Sequence, residues 1–231
     1  MGVIVLVRHG QASFGKRDYD ALSRTGTRQA TVLGDALRHR LAAVDRVECG
    51  AMTRHRQTAE HCVAAMGSEV PDWQASSDWN EYNHEEIIQR YQPRYKSHTL
   101  MLAEMASSGQ PRKAFQRMFA KAMARWMAGD HDHQYAESWP MFQQRCIAAL
   151  EATAGHAGKG KTVMVFTSGG VISVVCQHLL GLHDEATRAL SWRLVNGGLT
   201  KVIVSPSGLH LSAINDHAAF EGRHGELITY R

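Results

Sequence analysis

The chain has 231 residues, 44% of them hydrophobic, which suits one large domain with its own core and excludes global disorder. No apolar run approaches the roughly 18 residues of a membrane-spanning helix, and no secretion signal opens the chain, so we expect a cytoplasmic protein with no membrane partner. The formal net charge of +4 comes from scattered basic residues rather than a stripe. This argues against a nucleic-acid partner and fits a pocket for a small anion.

The first part of the chain alternates between strand and helix patterns. Residues 3–7 form a run of valine, isoleucine and leucine that is typical of a buried strand. Ser23 then precedes apolar positions at helical spacing through Arg40, which predicts an N-capped helix. A short strand over 45–49 and a helix over 53–66 follow.

The middle of the chain, residues 84–155, has the pattern of several helices. Gly109 and Gly129 mark breaks between them. Large apolar residues recur at spacings of three and four, a pattern typical of helix packing rather than of a cofactor site; they are Phe115, Met118, Phe119, Met123 and Trp126.

The last part of the chain returns to alternation. A buried strand over 161–167 leads into a helix over 169–180, and strands over 198–205 and 209–214 form a predicted hairpin. Alternation at both ends predicts an α/β fold, a three-layer αβα sandwich with a mainly parallel sheet.

The domain organisation follows from the position of the helical block. We interpret residues 1–231 as a single domain. Residues from about 84 to 137 are then most simply a helical cap insertion over the carboxyl edge of the sheet.

Cysteine and histidine spacing gives no metal or redox signal. Four cysteines lie far apart without a CxxC motif, which indicates buried, reduced thiols; they are Cys49, Cys62, Cys146 and Cys176. His131-Asp132-His133 lacks the spacing of a known metal motif. We therefore predict no metal and no organic cofactor.

Two predicted strands end in residues that are suited to catalysis or to phosphate binding. Arg8, after the first strand, has a planar fork of donors that suits a phosphate, and His9 has a ring nitrogen that can be nucleophilic. Ser168 and Gly169 follow the strand 161–167, where backbone N–H groups that start a helix favour an anion. If the two strands are neighbours, these residues meet at the sheet edge where open α/β folds bind ligands.

Two further candidates lie in predicted loops. Glu81 has the aromatic neighbours Trp79 and Tyr82, which could raise its pKa, and we consider it a candidate general acid. Gln11 could add a neutral donor to a phosphate. The alternative for Glu81 is a solvated helix start, and for Gln11 an ordinary loop residue.

Five sequence blocks together resemble the histidine phosphatase superfamily, in its phosphoglycerate-mutase-like branch. The resemblance covers nearly the whole chain; the blocks lie at residues 8–11, 22–30, 50–60, 79–82 and 166–172. It implies an αβα core with a helical cap that shapes substrate choice. It also adds Arg54, in the pattern Arg-x-x-Gln-Thr-Ala, as a second phosphate-binding arginine beside Arg8, whereas we expect His55 and Arg56 to be solvated.

One position departs from the family pattern. The family usually has a second histidine where this chain has Ser168, and serine can donate only one neutral hydrogen bond. We predict a phosphomonoester hydrolase that acts through a phosphohistidine at His9 on an unidentified small phosphorylated substrate, in preference to a mutase. The alternative is a weakened or inactive binder of phosphorylated ligands. The oligomeric state stays open, with a homodimer as one alternative.

Overall fold

The computed structural model describes residues 1–13, 20–67, 69–70 and 72–230. Its strands form one six-stranded sheet; they are β1 (Gly2–Arg8), β2 (Arg46–Gly50), β3 (Trp73–Ser76), β4 (Thr162–Thr167), β5 (Leu199–Ser205) and β6 (Gly208–Asp216). The order in the sheet is β3-β2-β4-β1-β5-β6. The first four of these pair in parallel, whereas β5 pairs antiparallel with both β1 and β6. The sheet is therefore mixed, with its parallel part at the centre and one edge.

Helices connect successive strands from β1 to β5. They are α1 (Arg24–Arg38), α2 (Thr53–Met66), α3 (His84–Tyr91), α4 (His98–Ser107), α5 (Pro111–Met127), α6 (Trp139–His156), α7 (Gly169–Leu180) and α8 (Asp184–Ser191). Short 3-10 turns lie at Ser77–Trp79, Pro93–Lys96, Asp132–Gln134, Ala218–Phe220 and Gly222–Leu227. The α/β fold class predicted from the sequence is confirmed, and α8 is an addition to the predicted elements.

Both faces of strand β1 are covered, which explains its unbroken apolar sequence. Val5 and Val7 of β1 belong to a core cluster with Leu33 of α1 and Cys62 of α2. The intervening residues, such as Leu6, point to the opposite face because side chains alternate along a strand, and Leu6 is also fully buried. Burying a leucine fully stabilises the fold by about 1.5–3 kcal/mol, and the polar residue of β1, Arg8, comes at its end.

The strand register brings three strand ends to one edge of the sheet. Arg8 of β1 is paired with Thr167 of β4, and Cys49 of β2 is paired with Phe166. The chain therefore leaves β1, β2 and β4 side by side, at the carboxyl edge where open α/β sheets bind ligands.

The chain forms two compact units, residues Met1–Glu81 with Arg145–Arg231, and residues Tyr82–Gln144. The second unit contains an apolar cluster around Ile88, Tyr95 and Met118. It also contains the rings of Tyr82 and Trp126, whose centroids are 5.1 Å apart. The expected packing role of the methionine and aromatic stripe thus agrees with the structure, while the placement of residues 84–137 as a cap over the sheet edge stays a prediction.

Neither a membrane-spanning helix nor a metal cluster is present in the part of the chain that the structure describes. No helix there is long and apolar enough to cross a membrane, and no three histidine, cysteine or acidic side chains cluster closely enough to hold a metal ion. All four cysteines are buried free thiols, as their spacing predicted.

Candidate active site

The backbone around His9 is fixed by neighbouring elements. The His9 N–H donates to the carbonyl oxygen of Thr167 at 2.8 Å, and the next N–H, of Gly10, donates to Thr58 Oγ1 at 3.1 Å. Asn196 Nδ2 donates to the His9 carbonyl oxygen at 3.1 Å. Gly10 must be glycine because a Cβ there would lie 2.5 Å from the backbone oxygen of Gly26. The backbone that carries the imidazole is therefore fixed in position.

The His9 ring is buried, with 8% of the residue exposed, and each of its nitrogens has a contact. Nδ1 lies 2.7 Å from the Gly10 carbonyl oxygen, and Arg54 Nε donates to Nε2 at 3.2 Å. A carbonyl oxygen can only accept and a guanidinium can only donate, so the proton is on Nδ1 and Nε2 keeps its lone pair. Burial, followed by the charge of Arg54 and smaller effects of His55 and Arg8, holds the pKa of His9 well below its usual range.

Arg54 reaches His9 from the first turn of α2 and is itself buried. Its Nη1 donates to Asp20 Oδ1 at 2.5 Å, and the other oxygen of Asp20 accepts from the Thr53 N–H at 2.7 Å. Asp20 thus fixes both the side chain of Arg54 and the start of its helix. The orientation of the guanidinium toward His9 is set from two sides.

Arg8 is the last residue of β1 and lies beside the start of α7. Its Nη1 donates to the carbonyl oxygen of Leu194. A Cβ at Gly169 would be 3.4 Å from Arg8 Nε, so the guanidinium packs close to the first residue of the helix. Within the described part of the chain, Arg8, Arg54 and the α7 N-terminus are therefore positive groups around His9.

Glu81 is brought to the same helix N-terminus. Its Oε2 accepts from the Gly170 N–H at 3.1 Å, in the position where a carboxylate is favoured by the helix dipole. Trp79, two residues earlier, is buried, and its carbonyl oxygen accepts from Thr167 Oγ1 at 2.6 Å. The loop with Glu81 is thereby attached to the end of β4.

Gln11 is placed near the site, and its backbone N–H and side-chain oxygen have protein partners. Its N–H donates to Gln29 Oε1 at 2.8 Å, and its side-chain oxygen accepts from Ser23 Oγ at 2.8 Å. Ser23 also caps α1 through the Gly26 N–H at 3.1 Å, as predicted. A role for Gln11 in phosphate binding stays a prediction.

The prediction that His55 is solvated is wrong. Its side chain is 0% exposed, and its Nε2 lies 2.6 Å from Oγ of Ser168, which is equally buried. The reason is helix geometry, since His55 lies on the face of α2 that continues with Ala59 and Cys62 into the core. Arg56, which lies outside this buried face, is exposed and pairs with Glu60 at 3.7 Å, as expected.

Three further residues support the site and were not predicted from the sequence. Asp20, Thr58 and Asn196 hold Arg54, Gly10 and His9 respectively. Thr58 could have been found, because it lies one helical turn after Arg54 and therefore on the same side of α2. Asp20 and Asn196 lie in segments without a periodic pattern, so no local signal connects them with the strand ends.

The fold is an α/β fold, and its site is a buried histidine with two arginines at the carboxyl ends of parallel strands. This class of protein corresponds to a known family. The family model of the histidine phosphatase superfamily (branch 1) matches residues 4–104 and 102–217. The chain therefore belongs to the histidine phosphatase superfamily. No curated protein sequence matches it at a significant level.

Solved structures with the same fold include a phosphoglycerate mutase from Bacillus anthracis, which is 18% identical at a TM-score of 0.63 over 97% of this chain and 96% of that one. A mutant phosphoserine phosphatase from Entamoeba histolytica, solved in complex with phosphoserine, is 14% identical at a TM-score of 0.62 over 93% and 97%. The alpha-ribazole phosphatase from Shigella flexneri is 17% identical at a TM-score of 0.59 over 93% and 96%. At these identities the likeness shows the fold.

Proposed function

We propose that this chain hydrolyses phosphomonoesters through a phosphohistidine formed at His9 Nε2. The observation that carries the proposal is the hydrogen bond between His9 Nδ1 and the Gly10 carbonyl oxygen, 2.7 Å long. It assigns the ring proton to Nδ1 and leaves the Nε2 lone pair available for attack on phosphorus. The lowered pKa of His9, caused mainly by burial and by Arg54, supports a neutral ring at neutral pH.

The positive groups support binding of the phosphate. Arg54 Nε now donates to His9 Nε2 at 3.2 Å, so it lies beside the position that the phosphorus atom would take. Arg8 and the N-terminus of α7 approach from the side of β4. Phosphoryl transfer spreads charge over three oxygens, and fixed donors around them are the main source of catalysis.

The first step moves the phosphoryl group to the enzyme. The Nε2 lone pair of His9 forms a bond to phosphorus while the ester P–O bond breaks, and the leaving alkoxide takes a proton from the carboxyl group of Glu81. The hydrogen bond from the Gly170 N–H to Glu81 Oε2 supports the position of the carboxyl group, at the helix start beside Ser168. Because this bond favours the charged form, protonation of Glu81 depends on the negative charge of the bound phosphate.

The second step returns the enzyme to its starting state. The Glu81 carboxylate takes a proton from a water molecule, whose oxygen attacks phosphorus while the P–Nε2 bond breaks. Orthophosphate and an alcohol are the products, one water is consumed, and Glu81 and His9 regain their original protonation. No metal or organic cofactor enters these steps.

The test is a covalent trap. The chain is mixed with a ³²P-labelled aryl phosphate and quenched, and we expect acid-labile, alkali-stable label on His9 together with steady turnover. His9→Ala should lose both, whereas His61→Ala, at an exposed position of α2, should keep both. Robust turnover by His9→Ala would contradict the mechanism.

Repeating the experiment with other labelled ligands separates the alternative functions. A silent binder would retain orthophosphate without turnover, and a mutase would move the label between positions of one substrate. A substrate panel should contain phosphoglycerate, phosphoserine, nucleotides and sugar phosphates, since the structural neighbours include a mutase and phosphatases.

A further inference from the structure

His55 and Ser168 form a buried side-chain pair beside His9 that the steps above do not use. His55 Nε2 lies 2.6 Å from Ser168 Oγ, and both residues are 0% exposed. The centroid of the His55 ring is 5.5 Å from that of His9. The pair thus forms part of the immediate surroundings of the proposed nucleophile.

Ser168 does not use its hydroxyl in the way that is usual for its helix position. It is the N-cap of α7, yet its side chain makes no capping hydrogen bond, although an N-cap serine normally accepts from a backbone N–H of the first turn. The hydroxyl contacts His55 on α2 instead. The Gly170 N–H of the first turn is capped by Glu81 Oε2 instead, so the serine hydroxyl is left for the contact with the imidazole.

The surroundings of His55 indicate which of its nitrogens holds the proton. Among the described residues, Nδ1 of His55 has no hydrogen-bond partner, and the Gly50 backbone lies so close that a Cβ there would be 2.0 Å from Nδ1. A buried N–H without an acceptor is costly, so the proton belongs on Nε2. Burial, followed by the charge of Arg54, lowers the pKa of His55 well below its usual range, which leaves the ring with a single proton.

This tautomer determines the direction of the serine proton. His55 Nε2–H donates to Ser168 Oγ, and a hydroxyl that accepts one hydrogen bond still has its own proton to donate. Ser168 follows Thr167 and His9 follows Arg8, and Thr167 and Arg8 are paired across the two strands. The serine hydroxyl and the His9 ring therefore lie at adjacent strand ends.

We propose that His55 is a positioning residue, which donates to Ser168 Oγ and thereby directs the serine hydroxyl proton toward the phosphoryl group at His9. Ser168 is then the neutral donor that contacts the phosphoryl oxygens, and His55 acts only through it. This inference rests on the proposed function, since it needs a phosphoryl group beside His9.

A double-mutant cycle tests whether the two residues act as one unit. Ser168→Ala and His55→Leu should each lower kcat for an aryl phosphate by about 10- to 100-fold, at or below the scale of losing one oxyanion-hole donor. The double variant should be no slower than the slower single variant. Losses that multiply in the double variant would overturn the proposal, because they would show independent roles.

Rescue by a conservative variant separates positioning from packing. The amide nitrogen of a glutamine at position 55 can replace Nε2 as a donor, so His55→Gln should keep kcat within a few-fold of the wild-type value. If His55→Leu does not fold, Ser168→Ala and His55→Gln still decide the matter. The proposal fails if His55→Gln folds and is as slow as Ser168→Ala, or if Ser168→Ala is fully active.

The space that His55 occupies gives a third variant. Ser168→His should lose activity because the new ring would meet the His55 ring, and His55→Ala in that background should restore part of the loss. A gain of activity from Ser168→His alone would overturn the proposal.

Orthophosphate binding, measured by calorimetry, keeps this test separate from the test of hydrolysis. Ser168→Ala and His55→Leu should each weaken binding, the double variant should bind no worse than either, and His55→Gln should bind like the wild type. If the wild type binds orthophosphate in this way but shows no turnover that depends on His9, the proposed function fails and the positioning role stands. If none of these variants changes the binding, the positioning role fails.

Discussion

At the scale of single residues, the His9 ring is held between two fixed and opposite partners. The Gly10 carbonyl oxygen faces Nδ1 at 2.7 Å, and Arg54 Nε faces Nε2 at 3.2 Å. A cation that donates to a lone pair occupies the side from which an electrophile must come. For an anionic phosphate this is favourable, because Arg54 can transfer its hydrogen bond to a phosphate oxygen without leaving its place beside Asp20.

The role of Glu81 as general acid predicts a dependence on the leaving group. Glu81→Gln should slow hydrolysis of an alkyl phosphate by about 100-fold or more, the usual contribution of a general acid, but slow a nitrophenyl phosphate only a few-fold, since nitrophenolate hardly needs a proton. The measurement is kcat/KM for both substrates. Glutamine retains an oxygen that can accept from the Gly170 N–H, so the loop contact should survive.

Glu85→Gln is the matched control, because Glu85 is an exposed acid in the first turn of α3 and its loss should change neither rate. If Glu81→Gln affects both substrates equally, Glu81 positions the loop and the proton comes from another group.

The residues His9 and His55 show what a sequence can and cannot indicate at this scale. His9 was found because it follows an apolar run at the end of a strand. The burial of His55 was also encoded, through its place on the stripe with Ala59 and Cys62, but a helix surface pattern does not reveal which distant residue will meet it. Its contact with Ser168 joins residues 113 positions apart, so it depends on the packed fold.

At the scale of elements, segments with several buried apolar residues were predictable, whereas a short and mostly exposed helix was not. The helix over 169–180 has the predicted bounds, because a glycine pair opens it and eight of its residues are buried. The helix α8 was missed because it has eight residues, of which only Thr187 is buried. Such an element has almost no periodic signal, and its position is set by packing against α7.

Strand β2 has an ionic cluster in an otherwise apolar setting. Glu48 is 7% exposed; its carboxylate accepts from Arg46 Nε at 2.7 Å and from Trp79 Nε1 at 3.1 Å, and also from Thr153 Oγ1. Burial alone would raise the pKa of Glu48, but the hydrogen bonds from Thr153, Arg46 and Trp79 outweigh it and lower the pKa below its usual value. The cluster therefore stabilises the charged form.

We expect Glu48→Gln to lower the free energy of unfolding by about 1–3 kcal/mol at pH 7, because it weakens hydrogen bonds to a buried charge. A lowered pKa means that this stabilisation is complete above the unfolded value of about 4.3 and is lost as the pH falls through the folded value. Urea denaturation at pH 7 and near pH 3 should therefore show a difference between wild type and variant that shrinks at the lower pH.

Glu60→Gln provides the comparison, since its pair with Arg56 is exposed on α2 and such pairs contribute less than about 1 kcal/mol. Equal losses from the two substitutions, or a difference that grows in acid, would show that Glu48 is not stabilised in its charged form.

At the scale of the whole molecule, the fold class could be predicted because strand and helix patterns alternate at both ends. The strand order could not, because it depends on which edges meet after the helices pack. Residue numbers alone do not place β4 between β1 and β2, yet this order is what brings His9, Arg54 and Ser168 together. Any anion that binds there contacts parts of the chain more than 100 residues apart, so binding should stabilise the entire fold.

Orthophosphate and vanadate should raise the Tm for that reason. A ligand that binds only the folded state adds about 2.7 kcal/mol at 100 times its Kd, which for a domain of this size corresponds to a rise of roughly 5–10 °C. Arg54→Ala should abolish the rise, because Arg54 is the buried cation that contacts His9 Nε2.

Arg56→Ala is the control from the same helix, exposed and directed away from the site, and it should retain the full rise. Thermal scans at constant ionic strength, with chloride replacing phosphate, exclude a general salt effect. An equal rise in the Arg54→Ala variant would show that the anion binds elsewhere, whereas loss of the rise in that variant alone would connect the stability of the whole chain to the edge where β1 and β4 end.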